Sequence, residues 1–172
     1  MRHTLEDIRA EYDRLDGICG IDTSRVKLRI SKGTRRLGSF SYDRFDPYNT
    51  MKIAVSSVTL EDDDLFYHTV RHEYAHCAVF LLRRGENHGH DAIFRAMCRK
   101  IGCSTEATVR PDSETGKKLS AMSKYTVRCR QCGAETGYNS AGKTLKLIMS
   151  GKKNAVFCRR CRGSDFEVII NR

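Results

Sequence analysis

The segment His72-Glu73-Tyr74-Ala75-His76 lies in a long stretch without helix-breaking residues. Two histidines four residues apart project from one face of a helix, so their imidazoles can bind one metal ion with the glutamate beside them. A catalytic zinc ion takes three protein ligands and keeps one position for a water molecule, whose pKa it lowers to about 7. We therefore predict a catalytic zinc site with His72 and His76 as ligands and Glu73 as general base.

Two helices are predicted around this segment. The first begins at Thr59, where Asp62 three residues on completes an N-terminal capping pattern, and it ends at Arg83-Arg84-Gly85. The second covers residues 91–101 and ends at Gly102. The zinc-binding segment is therefore expected in the middle of the longest helix of the chain.

Two common sources of a third zinc ligand do not fit the residues after this segment. A metzincin-type site needs glycine at position 79 and histidine at position 82, where Val79 and Leu82 stand. A thermolysin-type site needs a glutamate on another helix, and the candidates Glu106 and Glu114 lie outside the predicted helices. The third donor is therefore sought among nearby histidines.

Two histidines, His88 and His90, follow the turn at Gly85. His90 opens the second helix, where its imidazole can return towards the other two histidines. We assign His90 as the third ligand of the catalytic zinc ion and leave His88 outside the ligand set.

The residues before the long helix predict a further helix and a small sheet. Helical spacing of apolar side chains indicates a helix over residues 5–15, with Gly17 and Gly20 as stops. Alternation of apolar and polar residues predicts a strand over residues 26–31, with residues 38–42 as its partner and residues 51–55 as a further strand. The expected fold class is α+β, a small zincin-like domain of helices and a short antiparallel sheet.

The second half of the chain carries two Cys-x-x-Cys pairs, Cys129-Arg130-Gln131-Cys132 and Cys158-Arg159-Arg160-Cys161. Each pair predicts a tight turn that wraps one side of a tetrahedral zinc ion. Four sulfur ligands leave no open position, so this second zinc ion is expected to be structural. Residues 144–148 and 154–157 are predicted to form a hairpin that completes a small β zinc ribbon.

The positive charge of the chain is concentrated around these cysteines. The formal net charge is +10, and residues 117–172 contain 13 Lys and Arg against three acids, so the rest of the chain is neutral. A basic segment attached to a neutral domain indicates an anionic partner, most often nucleic acid. A ribbon that only braces the first domain is the alternative interpretation.

Nine basic residues are candidate phosphate contacts, and three aromatic residues among them are candidates for stacking on bases. We expect binding to single-stranded or nonspecific DNA, weakened by salt. The basic residues are Arg128, Arg130, Lys143, Lys146, Lys152, Lys153, Arg159, Arg160 and Arg162, and the aromatic ones are Tyr125, Tyr138 and Phe157.

The chain is expected to comprise a metalloprotease domain over residues 1–110, a linker over residues 111–123 and the ribbon over residues 124–172. The first residues mix acidic and basic side chains, which predicts no secretory signal. The longest apolar run, residues 77–82, is too short to span a membrane. We expect a monomer without membrane contact that is cytoplasmic, or associated with the nucleus or nucleoid, and is not secreted.

The order of these motifs resembles the SprT-like/Spartan metalloproteases. The resemblance lies in the zinc-binding helix, the segment Asn87-His88-Gly89-His90-Asp91-Ala92-Ile93-Phe94, a helix that ends at Ile101-Gly102, and the two cysteine pairs. In that family the histidine of a Gly-His-Gly-Pro-Glu-Phe segment is the third zinc ligand, which His90 matches, and Phe94 matches the aromatic residue. The sequence departs from this pattern in having Asp91-Ala92-Ile93 where the family usually has Gly-Pro-Glu.

This resemblance covers roughly residues 51–161 and implies a substrate class. The substrates would be proteins bound to DNA, including covalent DNA–protein crosslinks. Two other hypotheses compete with it: a nucleic-acid-binding adaptor that keeps the metal without cleaving protein, and a metal-dependent hydrolase of another substrate. The intact Glu73 argues against the adaptor.

Overall fold

A computed structural model describes residues 2–32, 36–105, 123–138, 140–152 and 155–171. The chain divides into two compact units, Met1–Ala107 and Thr108–Arg172. The predicted linker over residues 111–123 lies almost entirely outside the described residues, so its boundaries stay a prediction. The α+β class is confirmed, because each unit combines α-helix with a small sheet.

The first helix of unit 1, α1, spans Leu5–Cys19 and is longer than predicted. Thr4 caps its start in a capping box with Asp7, and Gly20 ends it in the left-handed conformation with φ 69°. Gly17 lies inside the helix and does not end it. It faces solvent, so its missing side chain leaves no gap in the core.

The sheet of unit 1 consists of β1 (Lys27–Ser31), β2 (Gly38–Ser41) and β3 (Lys52–Ser56), in the order β1-β3-β2. The prediction that residues 38–42 pair with β1 is wrong: β3 lies between them, parallel to β1 and antiparallel to β2. β3 takes the centre because it is the most buried strand, and a central place covers both of its edges. A one-turn helix, α2 (Pro47–Thr50), connects β2 to β3.

The long helix α3 spans Asp63–Leu82 and follows a short 3₁₀ helix, Ser57–Glu61. Its N-cap is Asp62, not the predicted Thr59, whose hydroxyl instead donates to the main-chain carbonyl of Ser56. Among the described helices, none is long and apolar enough to cross a membrane.

The next helix, α4, spans Ala92–Ile101 and confirms the second predicted helix. Asp91 caps its start through the N–H groups of Ile93 and Phe94, and Gly102 ends it with φ 67°. Both ends follow local sequence signals, because an aspartate N-cap and a glycine C-cap satisfy the free main-chain groups at helix ends.

Helices α1, α3 and α4 and the inner face of the sheet enclose one apolar core. Each large apolar side chain that this core removes from water contributes roughly 1.5–3 kcal/mol to folding. Two hydroxyl groups fix the rotation of α3 in the core: Tyr74 donates to Asp16 at 2.8 Å, and Tyr12 donates to the carbonyl of Val70 at 3.2 Å. The opposite side of α3 is thereby left to present its histidines.

Unit 2 contains an antiparallel sheet of β4 (Tyr125–Cys129), β5 (Glu135–Tyr138) and β6 (Phe166–Ile170), in the order β5-β4-β6. The predicted strand over residues 144–148 is wrong, because these residues lie in helix α5, Lys143–Met149. Its run of lysine, leucine and methionine favours a helix, and the fully buried Leu145 anchors it. The second predicted strand is also wrong for residues 155–157, and residue 154 lies outside the described residues.

Candidate metal centres

The structure brings His72, His76 and His90 together in what we call the three-histidine centre. Nε2 of His90 lies 3.1 Å from Nε2 of His72 and 3.2 Å from Nε2 of His76. Zinc–nitrogen distances of about 2.0–2.1 Å in tetrahedral geometry place two ligand nitrogens about 3.3–3.4 Å apart. The donor set and its spacing therefore fit one zinc ion.

Hydrogen bonds and ring packing orient these imidazoles. Nδ1 of His72 lies 3.5 Å from the carbonyl of Ser104. The buried ring of Phe94 packs against all three imidazoles, with centroid distances of 4.3–5.1 Å. Contacts of this kind fix which nitrogen of a histidine faces a metal.

The third histidine is held by the loop before α4. The carboxylate of Asp91 caps α4 and also lies 2.7 Å from Nδ1 of His88. Arg95 donates to the carbonyl of His90 at 3.0 Å. The loop that carries His90 is thus fixed at three points although it has no regular secondary structure.

Burial keeps two of the imidazoles neutral. Burial, together with the neighbouring histidines, lowers the pKa of His72 and of His76 to about 4. Both rings are therefore neutral near pH 7, which is the form that binds a metal ion.

Glu73 is 7% exposed and lies between α3 and β2. Burial raises its pKa to about 7, while a hydrogen bond from the main-chain N–H of Phe40 and the charge of Arg36 oppose that rise. A carboxylate with such a pKa is suited to accept a proton near neutral pH.

The two remaining histidines nearby are not part of the three-histidine centre. The ring of His68 lies parallel to that of His72 with centroids 6.2 Å apart, one turn earlier on α3. His88 pairs with Asp91 instead. Neither belongs to the group of donor atoms that lie within 4.8 Å of one another, and Glu106 and Glu114 lie outside the described residues.

Sequence reasoning missed the contacts of Ser104, Phe40 and Arg95 at this site. Ser104 and Phe40 act through main-chain groups, so no side-chain pattern marks them. Only the contact of Arg95 had a weak sequence signal, because a long cation near the start of the helix that follows His90 can reach back to it.

The second group, which we call the four-cysteine centre, consists of Cys129, Cys132, Cys158 and Cys161. The Sγ atoms of Cys129 and Cys161 lie 3.5 Å apart, and those of Cys132 and Cys158 lie 3.6 Å apart. A tetrahedral zinc ion with sulfur at about 2.3 Å separates its ligands by about 3.8 Å. The four thiols therefore also fit zinc.

The two cysteine pairs form matching turns. Gly133 donates its N–H to the carbonyl of Cys129 and Arg162 donates to that of Cys158, both at 2.9 Å. Gly133 and Arg162 are also left-handed, with φ 71° and 65°. Main-chain N–H groups of Cys161 and Arg160 lower the pKa of the Cys158 thiol to about 6, which favours the thiolate that binds metal.

The predicted phosphate contacts that the structure describes fall into two groups, those paired with an acidic residue and those that are not. Arg128 pairs with Glu135 at 2.8 Å, and Arg130 lies 3.9 Å from Asp165. Lys153 lies outside the described residues. The other six are exposed, form no ion pair with described residues, and are called the basic surface: Lys143, Lys146, Lys152, Arg159, Arg160 and Arg162.

Comparison with known proteins adds one match to this geometry. A model of the SprT-like family matches residues 3–114, about two thirds of the chain, and the matched segment contains the whole three-histidine centre. Searches of curated proteins and of solved structures gave no significant match.

Proposed function

This chain belongs to the SprT-like family, and from that premise we propose that it is a zinc-dependent metalloendopeptidase that cleaves proteins bound or crosslinked to DNA. The family suggests a metalloprotease-type domain with a zinc-binding site. The observation that carries the proposal is the convergence of three imidazole nitrogens beside a buried carboxylate. A three-nitrogen donor set leaves a position for the reacting groups, as catalytic zinc sites require.

The residues of the three-histidine centre have separate roles in this reaction. When bound there, zinc polarises the peptide carbonyl and makes a water molecule more acidic. His72, His76 and His90 hold the ion. Glu73 accepts a proton from the attacking water and returns it to the leaving nitrogen, so that the peptide C–N bond breaks and one water molecule is consumed.

Strand β2 is suited to hold the substrate beside Glu73. β2 is an outer strand of its sheet, and its Phe40 N–H lowers the pKa of Glu73. An extended peptide segment adds readily to the outer edge of a sheet through main-chain hydrogen bonds. A substrate aligned in this way has its peptide carbonyls next to the general base, with little dependence on its side chains.

The basic surface supports the choice of DNA-bound proteins as substrates. Its six cations are free of acidic partners among the described residues, and Phe157 beside them is 53% exposed. Cations neutralise phosphates and an exposed ring stacks on a base, which together bind single strands without reading sequence. Such binding concentrates the protease on proteins attached to DNA.

The test is cleavage of a labelled basic protein bound to single-stranded DNA, with and without the DNA and with and without a zinc chelator. We expect cleavage that requires zinc, increases with DNA and is lost in Glu73→Gln. The matched control is Glu61→Gln, which changes an exposed glutamate and should keep full activity. DNA binding without cleavage by the native chain would instead support the adaptor and refute the protease.

A further inference from the structure

Strand β2 passes unusually close to helix α3 at Gly38. A Cβ atom placed on Gly38 would lie 2.5 Å from both Cγ and Oε1 of Glu73 and 2.8 Å from its Cδ. Real Cβ atoms essentially never approach other atoms within 3.0 Å. The φ angle of Gly38 is not in the left-handed region, so a larger residue here is opposed by the Glu73 side chain, which would have to shift, and not by the backbone conformation.

The same strand holds the carboxylate from a second direction. The main-chain N–H of Phe40, two residues after Gly38, stabilises the same carboxylate and lowers its pKa. Glu73 is only 7% exposed, so its side chain is enclosed by the protein. β2 thus supplies both the gap that admits the carboxylate and the donor that orients it.

We infer that Gly38 is a positioning residue that acts through Glu73. This inference rests on the proposed role of Glu73 as the general base. A methyl group at position 38 displaces the carboxylate from the place where it meets the Phe40 N–H. The three atoms nearest to such a methyl group all belong to Glu73 and none to an imidazole, so we expect metal binding to stay intact.

The first experiment compares Gly38→Ala and Gly38→Val with the native chain in the cleavage assay. We expect kcat to fall by about 10²-fold for Gly38→Ala, as for other misplacements of a catalytic group by about 1 Å, and further for Gly38→Val. KM and the affinity for zinc, measured by competition with a chelator, should not change. The d–d absorption of the cobalt-substituted three-histidine centre should not change either.

The matched control is Gly17→Ala. A Cβ atom at position 17 meets nothing within 4 Å, and Gly17 lies in α1 away from the site. This variant adds the same methyl group and should keep the native kcat. A Gly38→Ala enzyme with native kcat, or one that loses zinc along with activity, would overturn the inference.

A second experiment tests the contact without any activity. The urea midpoint of unfolding is measured for Gly38→Ala in the native background and in Glu73→Ala. If the methyl group meets only the Glu73 side chain, whatever midpoint shift it causes in the native background disappears in Glu73→Ala, as coupled neighbours require. An equal shift in both backgrounds would contradict the contact.

These outcomes separate the inference from the proposed function. A native chain that binds zinc but cleaves nothing refutes the protease, while the urea midpoints still decide whether residue 38 and Glu73 are coupled. A native chain that is active, is inactivated by Glu73→Gln and tolerates Gly38→Ala refutes only the role of Gly38.

Discussion

The three-histidine centre lies on a unit with a large apolar core, whereas the described part of the unit with the four-cysteine centre buries few apolar side chains. In unit 1 three helices and a sheet bury one contiguous cluster. Among the described residues of unit 2, the buried apolar side chains apart from cysteines are Val127 and Leu145. We therefore expect unit 1 to form its site before a metal binds and unit 2 to fold only with its metal bound.

The donor atoms of the two centres agree with this difference. Three imidazoles, two of them on one helix, leave part of a zinc coordination sphere open, while four thiols close it. In unit 1 the fold places the three ligands, whereas in unit 2 we expect the bound metal to stabilise the fold. Each experiment below asks whether the two units respond to change in these different ways.

The largest expected effect is the unfolding of unit 2 by Cys158→Ser. Structural zinc contributes about 10–16 kcal/mol to the folding of small zinc modules, more than two buried apolar side chains can replace. We expect limited proteolysis to degrade unit 2 and leave unit 1 intact. Cys103→Ser, which removes a thiol outside the centre, is the control, and a protease-resistant unit 2 in Cys158→Ser would contradict the comparison.

The next effect is the loss of zinc from unit 1 without loss of its fold. His90 is exposed in the loop before α4, so His90→Ala should change the free energy of unfolding of the metal-free protein by no more than about 0.5 kcal/mol. The zinc content should fall from two ions per chain to one, and cleavage should be lost. His68→Ala is the control that should keep two ions. Unfolding of unit 1 in His90→Ala would show that the fold of unit 1 also depends on its metal.

A smaller effect is expected at Asp91, which departs from the pattern of the family. Asp91→Ala removes both the cap of α4 and the contact with His88, and should weaken zinc binding by about 10–100-fold. It should also cost about 1 kcal/mol of stability through the lost cap. Asp91→Asn keeps the cap but loses the charge, so an intermediate zinc affinity is expected; equal affinities in all three proteins would exclude a positioning role.

The smallest effect separates two kinds of arginine in unit 2. Arg160→Gln removes a cation of the basic surface. The slope of the logarithm of the DNA-binding constant against the logarithm of salt concentration should therefore become shallower by about one. Arg128→Gln should change it less, because Glu135 and Glu167 already lie near that guanidinium. Titrations of single-stranded DNA at several salt concentrations measure both, and identical slopes would remove the distinction.

Local sequence signals predicted the main helices of unit 1, apart from the start of α3, and the grouping of His72, His76 and His90, whose donor atoms lie within 4.8 Å of one another. The role of these histidines as metal ligands stays a prediction. The motif spacing, the Asp91 cap and the glycine at position 102 are all short-range features that a single segment contains. The structure brings His90 to the other two histidines because the loop between Gly85 and Asp91 is short.

Long-range pairing and main-chain contacts were not predictable in the same way. The central place of β3 depends on burial of both its edges, which its own residues do not encode. The alternation of residues 144–148 is compatible with a strand, but these residues form a helix that buries only Leu145. The nearness of Gly38 to Glu73 follows only from how β2 meets α3.

The most direct test is anomalous diffraction at the zinc absorption edge from crystals of the protein grown with zinc. Two peaks are expected, one about 2.0–2.1 Å from Nε2 of His72, His76 and His90, and the other about 2.3 Å from four sulfur atoms. A single peak at the cysteines, with the three histidines holding no ion, would contradict the proposed enzyme and leave a zinc-stabilised nucleic-acid-binding module.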